Sequence, residues 1–427
     1  MNGFQRVAVR LGGVEELAAR LASPPPDPEI ASIVTGIIAD VRARGDAALV
    51  DMTRRFDSPA FTAEAIRVAP ESLSEAAATV PDTLREAILV AAAQVRALAE
   101  AVRPSDVHAT LEYGQSISVR SLPVRSAGIY VPGGRAAYPS TLVMAAVPAQ
   151  VAGVERLAVV TPPGPGGSPS PVVLATAGLL GVDEVYAVGG PASIAALAYG
   201  TATIPAVSVI AGPGSAWVQE AKRQVFGAVG IDSVAGPSEV VVIAGSGADA
   251  RAIALDLAAQ AEHGPDSPAI LVSPDRELVD AVASVLAELD VPGAITLVDC
   301  EGLDVALAFA EAFAPEHLEL DVTDAPGVAA RVRQAGAVFI GPNGATAFGD
   351  YVAGSNHILP TGRAARYASA VGPATFMRRM SVVDIPDAAA DALTPHLAAI
   401  ADAEGFVNHR RSAEARTARI AREGGSE

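Results

Sequence analysis

The feature that most constrains the fold of this chain is a regular alternation of two kinds of segment, which begins at about Ser118. Short runs rich in β-branched residues are separated by longer Ala- and Leu-rich stretches with a helical pattern. In chain order the runs are AGIYVPGG, LAVVTPP, EVYAVGG, VSVIAGPG, EVVVIAG, AILVS, ITLVD and GAVFIGP. Such alternation is typical of parallel α/β sheets, because each crossover helix returns the chain to the same end of the sheet. The series is long enough for two such sheets.

The chain before this alternation is mostly helical in pattern. We predict helices at Val14–Leu21, at Ile30–Arg55 with an interruption near Gly45, and from about Pro81 to Val102. A break is expected at Pro24-Pro25-Pro26 between the first two. The opening residues are polar and also helical in pattern.

Two further segments lie outside the alternation. Residues 162–171, PPGPGGSPSP, predict a surface loop, and the strand pattern ends after about residue 374. Helices are expected near 387–403 and 411–423. The predicted parts are an N-terminal helical segment (1–25), a helical part that leads into a first α/β unit (26–125), a second α/β unit (126–235), a continuation of the first (236–375), and a C-terminal helical tail (376–427).

Composition limits the class of partner. The formal net charge of −18, from 48 acidic and 30 basic residues without a Lys/Arg cluster, argues against binding to nucleic acid or to an anionic membrane. A small molecule is the expected partner. The single cysteine, Cys300, excludes an intramolecular disulfide framework and fits a reducing compartment. It is expected to be a small buried apolar residue.

Targeting segments are not evident in the sequence. The N-terminus does not resemble a signal peptide, so we expect a cytoplasmic protein. The most apolar stretch, STLVMAAVPAQVAGV, is interrupted by Pro148 and Gln150 before it reaches the ~20 residues that a membrane span requires. It is therefore predicted to be a core helix.

Four of the six histidines have polar neighbours that suggest a site. His263 follows Gln260 by three positions, so both side chains lie on one face of a helix that Gly264 and Pro265 end. Taken alone, this pair is explained better by an imidazole at the negative end of the helix dipole. The other three occur in EHLEL, where His317 follows Glu316, in GDYVAGSNH, which contains Asp350 and His357, and in EGFVNH, which contains Glu404 and His409. His108 and His396 lack such neighbours and are expected on the surface.

Together these residues suggest a metal centre and an acid–base pair. Gln260, His263, Asp350 and His409 would supply two nitrogens and two oxygens, a ligand set that suits Zn²⁺ or Mn²⁺. The pair Glu316-His317 remains outside that set. An adjacent carboxylate and imidazole can activate water and act as a general base. The alternative is an exposed turn with two incidental polar residues.

The glycine-rich turns raise the question of a cofactor. In this sequence no G-x-G-x-x-G follows a strand. The segment IAGPGSAWVQEAKR does predict a strand, a glycine turn and a helix with Ser215 near its cap, a geometry that can bind phosphate. YVPGGRAAYPS offers a second glycine turn, with Tyr130 and Tyr138 beside it. Tight structural turns explain both segments equally well.

Several long motifs match a known family in the same order. These are GIYVPGGRAAYPS, GPSEVVVIA, QAEHGPDS, APEHLEL, GDYVAGSNHILPTG and EGFVNH. Over most of its length the chain closely resembles the histidinol dehydrogenase family. The resemblance implies an NAD-dependent zinc enzyme that oxidises L-histidinol through L-histidinal to L-histidine. It also implies two incomplete Rossmann-like parallel-sheet units with small helical N- and C-terminal parts, in a homodimer whose C-terminal tail completes the partner's active site.

The resemblance assigns a role to each matching residue. The implied ligands of one zinc ion per site are Gln260, His263, Asp350 and His409, the set already suggested by the residue types. His317 matches the general base and Glu316 the water-activating acid. The implied substrate contacts are Ser238, His357 and Glu404, and the positions that match NAD contacts are Tyr130, Ala192 and Ser215.

The chain departs from the family pattern at the cofactor positions. Ala192 stands where the family usually has glutamine, and Ser215 where it usually has asparagine, so we expect weaker NAD binding or a shifted pose. The segments at 343–345 and from 368 onward also differ. Three functions follow: a histidinol dehydrogenase, a paralogue that oxidises another small alcohol such as a sulfopropanediol, or a zinc-binding protein without catalysis. Retention of the base, the acid and all four ligands argues against the third.

Overall fold

The computed structural model describes residues 4–22, 27–133, 137–289, 291 and 294–423. The expected break at Pro24-Pro25-Pro26 and the middle of the turn at 134–136 lie outside these ranges. The expected α/β architecture with parallel sheets and helical terminal parts is confirmed. Within the described ranges, none of the helices combines the length and the apolar character that a membrane crossing requires.

The strands of the described chain are numbered in chain order. They are β1 (Phe4–Val9), β2 (Val107–Thr110), β3 (Ser116–Pro123), β4 (Ser126–Tyr130), β5 (Arg156–Val160), β6 (Glu184–Tyr186), β7 (Val209–Ala211), β8 (Gly230–Ile231), β9 (Val240–Ala244), β10 (Ala269–Ser273), β11 (Ile295–Cys300), β12 (His317–Asp321), β13 (Ala337–Ile340) and β14 (Met377–Asp384).

The α-helices are numbered in the same way. They are α1 (Val14–Leu21), α2 (Pro28–Arg44), α3 (Asp46–Phe56), α4 (Pro70–Thr79), α5 (Asp82–Val102), α6 (Pro139–Ala152), α7 (Pro171–Leu179), α8 (Gly190–Tyr199), α9 (Ala216–Val225), α10 (Ala250–Ala261), α11 (Arg276–Leu286), α12 (Leu303–Phe313), α13 (Ala325–Ala329), α14 (Thr346–Tyr351), α15 (Asp387–Ala403) and α16 (Val407–Glu423).

The chain divides into two compact units. The larger comprises Met1–Arg103 and Val124–Phe376, and the smaller comprises Pro104–Pro123 and Met377–Glu427. The smaller unit contains an antiparallel sheet of order β14-β3-β2 together with α15 and α16.

Both parallel sheets lie in the larger unit, and they share one topology. Sheet A has the order β1-β11-β10-β9-β12-β13, and sheet B has the order β6-β5-β4-β7-β8. In sheet B, β4 is central, β5 and β6 follow on one side, and the chain then crosses to β7 and β8 on the other side. Strands β9 to β13 of sheet A repeat this order, and β1 is added at the edge beyond β11. The crossing creates a topological switch point, where open α/β sheets bind ligands. It lies between β9 and β12 in sheet A and between β4 and β7 in sheet B.

The core follows from strands that are buried on both faces. Along β9, Val241 and Ile243 pack in one cluster with α1 and α12, whereas Val240 and Val242 pack in a second cluster with α10 and α11. A strand covered on both sides must be apolar at every position, which explains the continuous run VVVIA. The apolar stretch around Pro148 forms the buried helix α6, as predicted.

Several elements differ from the sequence-based expectation. β2 and β3 precede the first run that was predicted as a strand. β1 occupies part of the segment expected to be helical, β14 lies where the strand pattern was expected to end, and α4 was not predicted. β1 is an edge strand that pairs only with β11, and of its residues only Val9 is buried. The side chains of β14 are largely exposed. Neither strand therefore carries the apolar alternation that identifies a half-buried strand.

Candidate functional site

The end of α10 places Gln260 and His263 next to each other. Gln260 is buried in the last turn of the helix. The backbone N–H of His263 donates to the backbone carbonyl of Gln260 at 3.1 Å. The Gln260 side-chain oxygen accepts a hydrogen bond from Ser238 Oγ at 3.4 Å. The helix is less buried than its composition suggested, because Leu255 is 45% exposed.

The carboxylate–imidazole pair is held inside the protein. Glu316 directly precedes β12 and His317 begins it, and the two residues are only 5% and 3% exposed. The alternative of an exposed turn is therefore wrong. One carboxylate oxygen of Glu316 lies 3.5 Å from His317 Nδ1.

The main chain of Glu239 orients both members of this pair. Its N–H donates to Glu316 Oε2 at 3.0 Å, and its carbonyl lies 3.3 Å from His317 Nδ1. Because a carbonyl oxygen only accepts, Nδ1 carries the proton and Nε2 keeps its lone pair. The Nε2 atom faces Asp350 Oδ1 at 3.7 Å. His317 is thus presented as a base.

His357 is fixed in a similar way. Its Nδ1 donates to the backbone carbonyl of Asp350 at 2.8 Å, so its Nε2 is left to accept from Thr141 Oγ1 at 3.3 Å. Asp350 itself lies on the short helix α14. The larger unit therefore joins Ser238, Gln260, Glu316, His317, Asp350 and His357 through successive side-chain and backbone contacts.

Burial shifts the protonation of the whole cluster towards neutral forms. It raises the pKa of Asp350 to about 6 and lowers the pKa of His317 to about 3 and that of His357 to about 4. The pKa of His263 is also lowered by burial, and the nearby Glu262 opposes this. Burial holds the pKa of Glu316 well above its usual value, against hydrogen bonds from Ser238 and Glu239. The site therefore combines neutral imidazoles with buried carboxyl groups. A bound cation would favour the ionised form of those carboxyl groups.

The donors in the larger unit fit a divalent cation as a partial ligand set. Gln260, His263 and Asp350 belong to this unit, and their amide oxygen, imidazole nitrogen and carboxylate oxygens are ligand types that divalent metals accept. In the described part of the chain, no group of three or more His, Cys, Asp or Glu side chains is arranged to hold a metal. His409, the fourth expected ligand, is exposed in the first turn of α16 in the smaller unit, and Glu404 is exposed in the same unit.

Two of the three expected cofactor residues, Tyr130 and Ser215, belong to segments at the switch point of sheet B. Tyr130 ends β4, and the turn from Gly212 to Gly214 follows the neighbouring strand β7. A Cβ on Gly214 would lie 3.2 Å from the Tyr130 ring, so the turn packs closely on that ring. Burial raises the pKa of Tyr130 to about 12, and a hydrogen bond from the Gly190 backbone opposes this.

The two departures from the family pattern lie in different environments. Ala192 is buried in the first turn of α8, two residues after Gly190. Ser215 is the exposed N-cap residue of α9, and its side chain makes no capping hydrogen bond. The region therefore provides a glycine turn and a helix N-terminus that suit a dinucleotide, with fewer side-chain hydrogen bonds than the family pattern offers.

One cavity links the cofactor turn to the catalytic residues. It has a volume of about 80 Å³, and its lining includes Gly212, Gly214, Ser238, Glu316 and His357. The turn lies at the carboxyl end of sheet B, whereas Ser238 and Glu316 lie at the amino ends of β9 and β12 in sheet A.

Sequence reasoning missed several residues of this site. Glu239 and Thr141 contact the catalytic histidines directly, and Lys222 and Asp232 form part of the cavity wall. Glu239 gives the clearest indication in the sequence, because it directly precedes the apolar run VVVIA, and the structure shows that it is buried there.

Known proteins that are similar to this chain include several histidinol dehydrogenases. Residues 25–417 match the family model of histidinol dehydrogenase. The histidinol dehydrogenase of Rhodospirillum rubrum is 45% identical over 402 residues, which cover 91% of this chain and 92% of that protein. That of Gluconobacter oxydans is 44% identical and covers 95% of this chain and 97% of its own length. The crystal structure of histidinol dehydrogenase from Elizabethkingia anophelis superposes with a TM-score of 0.90, at 30% identity and with 98% of this chain and 99% of that chain covered.

Proposed function

We propose that this chain, which belongs to the histidinol dehydrogenase family and is an oxidoreductase, oxidises L-histidinol through L-histidinal to L-histidine with zinc and NAD. The observation that carries the proposal is the buried His317, whose Nε2 lone pair faces Asp350 beside a cavity shared with the glycine turn. A base, a partial metal site and a dinucleotide-type turn together suit oxidation of an alcohol.

Gln260, His263 and Asp350 would hold the zinc ion together with His409 of a second copy. When bound, zinc would supply a Lewis acid that orients the substrate nitrogens, and NAD would accept the hydrides. Ser238 supports this arrangement, because its hydroxyl holds the Gln260 amide in place. His357, fixed by Asp350 and Thr141, contributes a neutral imidazole to the substrate cavity.

His317 serves the oxidation of the alcohol. Its Nε2 would accept the hydroxyl proton, while Nδ1–H remains bonded to the Glu239 carbonyl and holds the ring. Because burial lowers the pKa of His317 to about 3, the imidazole is neutral at physiological pH and its Nε2 carries a lone pair.

Glu316 serves the second oxidation, which requires water to add to the aldehyde. When His317 becomes protonated, its positive charge lies next to Glu316 Oε2, which is 3.5 Å from Nδ1. That charge and the Glu239 N–H favour the ionised carboxylate, which can then remove a proton from water. The proximity of the two groups therefore couples the two steps.

The smaller unit supports a homodimer with shared active sites. Its described residues include only two buried apolar side chains, Ala389 and Ala401, too few for an independent core. Its exposed large apolar residues are Val107, Leu111, Tyr113, Val382, Val383, Ile385, Leu397, Ile400, Phe406 and Val407. We infer that a second copy covers these surfaces and that His409 and Glu404 complete the partner's site.

The substrate is tested by NAD reduction with a panel of alcohols. The zinc-loaded protein is assayed with L-histidinol, a simple amino alcohol without an imidazole, and a sulfopropanediol. We expect reduction with L-histidinol and loss of the rate in His317→Ala. Preference for the sulfonated alcohol would favour the paralogue, and absence of reduction with all three would reject the proposal.

A further inference from the structure

Lys222 and Asp232 form an ion pair in the interior of the larger unit. Lys222 Nζ lies 2.5 Å from Asp232 Oδ1, and the side chains are 1% and 2% exposed. Lys222 lies on α9, and Asp232 follows β8. Removing two charges from water is costly, and apolar residues of similar size often stabilise a protein equally well. The position of the pair therefore requires a reason other than stability.

Both members of the pair bind the same glycine. Lys222 Nζ donates to the Gly212 carbonyl at 2.9 Å, and the Gly212 N–H donates to Asp232 Oδ2 at 2.8 Å. Gly212 directly follows the end of β7 at Ala211. The ion pair thus satisfies both backbone polar groups of Gly212 immediately beyond the strand.

Gly212 occupies a position that other residues cannot adopt. Its φ is +130°, and a Cβ would lie 2.2 Å from the carbonyl oxygen of Tyr130. The turn is therefore fixed on one side by Tyr130 and on the other by the ion pair. Its conformation determines where the N-terminus of α9, with Ser215 at the cap, is presented.

The same turn forms part of the catalytic cavity. Lys222, Asp232 and Gly212 line it together with Glu316 and His357. A displacement of Gly212 would therefore change the distance between a bound dinucleotide and the catalytic pair.

We propose that Lys222 and Asp232 are positioning residues for NAD, which act by holding the peptide groups of Gly212. This inference rests on the proposed function. It predicts that the pair affects binding of the dinucleotide far more than binding of the alcohol.

The principal test is the double variant K222M/D232N in the zinc-loaded full-length protein. It removes both charges together, so no single charge is left buried without a partner, and the amide introduced in place of Asp232 retains an acceptor for the Gly212 N–H. The Gly212 carbonyl loses a charge-assisted hydrogen bond, so we expect the Kd and KM for NAD to rise about ten- to a hundredfold. The KM for L-histidinol should change by less than about twofold, because the proposed alcohol contacts, Ser238, His357 and Glu404, are not part of the turn or of the ion pair.

A matched control is the ion pair of Arg156 and Glu184 in sheet B. Arg156 lies on β5 and Glu184 on β6, and the Arg156 Nε and Glu184 Oε2 atoms are 3.0 Å apart. Neither residue belongs to the cavity lining. R156M/E184Q should bind NAD as the parent does. NAD affinity is measured by calorimetry and by the fluorescence of Trp217, the single tryptophan of the chain, which lies in the first turn of α9.

Four outcomes would contradict the inference. NAD affinity in folded K222M/D232N equal to that of the parent would overturn it, and so would KM values for NAD and L-histidinol that rise together. If the double variant does not fold, the NAD affinity of K222R tests the inference instead. Arginine keeps the positive charge but places its N–H donors differently from the Lys222 ammonium that bonds to Gly212. Unchanged NAD affinity in K222R would reject the inference, whereas a selective loss would support it. A parent protein that binds no NAD would overturn both the proposed function and this inference.

Discussion

At the scale of single residues, Glu239 shows that the geometry of a site can depend on a residue that takes no part in the proposed reaction. Its backbone orients Glu316 and His317, while its side chain accepts a hydrogen bond from the Gly362 N–H at 3.0 Å. The other carboxylate oxygen is buried without a partner. Burial accordingly raises the pKa of Glu239 to about 7.

This burial has a consequence for stability. The folded protein keeps Glu239 protonated up to its pKa of about 7, whereas the ordinary value is 4.5, so the wild type loses stability as pH rises between these values. Glu239→Gln cannot ionise and avoids that loss. Its free energy of unfolding relative to wild type should increase by about 3 kcal/mol from pH 4.5 to pH 7. Denaturant titrations at both pH values measure this difference, and a constant difference would refute the explanation.

The two catalytic side chains should separate the two oxidations. Glu316→Gln should slow oxidation of supplied L-histidinal by ~10²–10⁴-fold, because water activation loses its base. The first hydride transfer from L-histidinol should be affected less, since His317 remains. Single-turnover measurements of NADH distinguish the steps, and equal slowing of both would contradict the assigned roles.

At the scale of elements, the sequence predicted those whose environment leaves a simple pattern. β9 is buried on both faces, and α1 and α15 begin and end where predicted. β1 and β14 were not predicted because their side chains are mostly exposed and leave no apolar alternation in the sequence. They are recognised as strands only by their backbone pairing with β11 and β3. The glycine turn after β7 was recognised, but the ion pair behind it was not, because Lys222 and Asp232 look like ordinary surface residues in sequence.

The turn before α9 also allows a prediction about NAD. Ser215 is exposed and leaves the helix cap without a side-chain hydrogen bond, so Ser215→Asn can add contacts without disturbing the core. One or two added hydrogen bonds, each worth ~0.5–1.5 kcal/mol, should tighten NAD about two- to tenfold or more. Ala192→Gln is expected to cost stability, because Ala192 is buried. Calorimetric titration of Ser215→Asn decides the matter, and weaker or equal binding would indicate a different NAD pose.

At the scale of the whole molecule, the larger unit uses its two sheets differently. Sheet B presents the carboxyl end of β7 to the cavity, next to its switch point, whereas sheet A presents the residues that precede β9 and β12. Periodicity predicts each sheet but contains no information about which ends face each other. The metal set of Gln260, His263, Asp350 and His409 and the separate pair Glu316-His317 were therefore predicted from residue chemistry and family motifs. The contacts of Glu239 required the structure.

Sharing of sites between two copies is tested by subunit mixing. His263→Ala and His409→Ala should each be inactive, because each lacks one proposed metal ligand. If His409 serves the partner's site, a heterodimer of the two variants has one intact site and one doubly defective site, so about half the wild-type activity per heterodimer should return. Heterodimers isolated with two different affinity tags provide the sample. Inactive heterodimers would mean that each chain completes its own site.

The most direct test of the central claim is the stoichiometry of the full reaction. The zinc-loaded protein is supplied with limiting L-histidinol and excess NAD, and both NADH and the product are quantified. A four-electron oxidation that uses His317 and Glu316 in sequence predicts two NADH and one L-histidine per L-histidinol, with loss of turnover after chelation and recovery with zinc. One NADH per alcohol with the aldehyde as the final product, or unchanged turnover in the metal-free protein, would contradict the account.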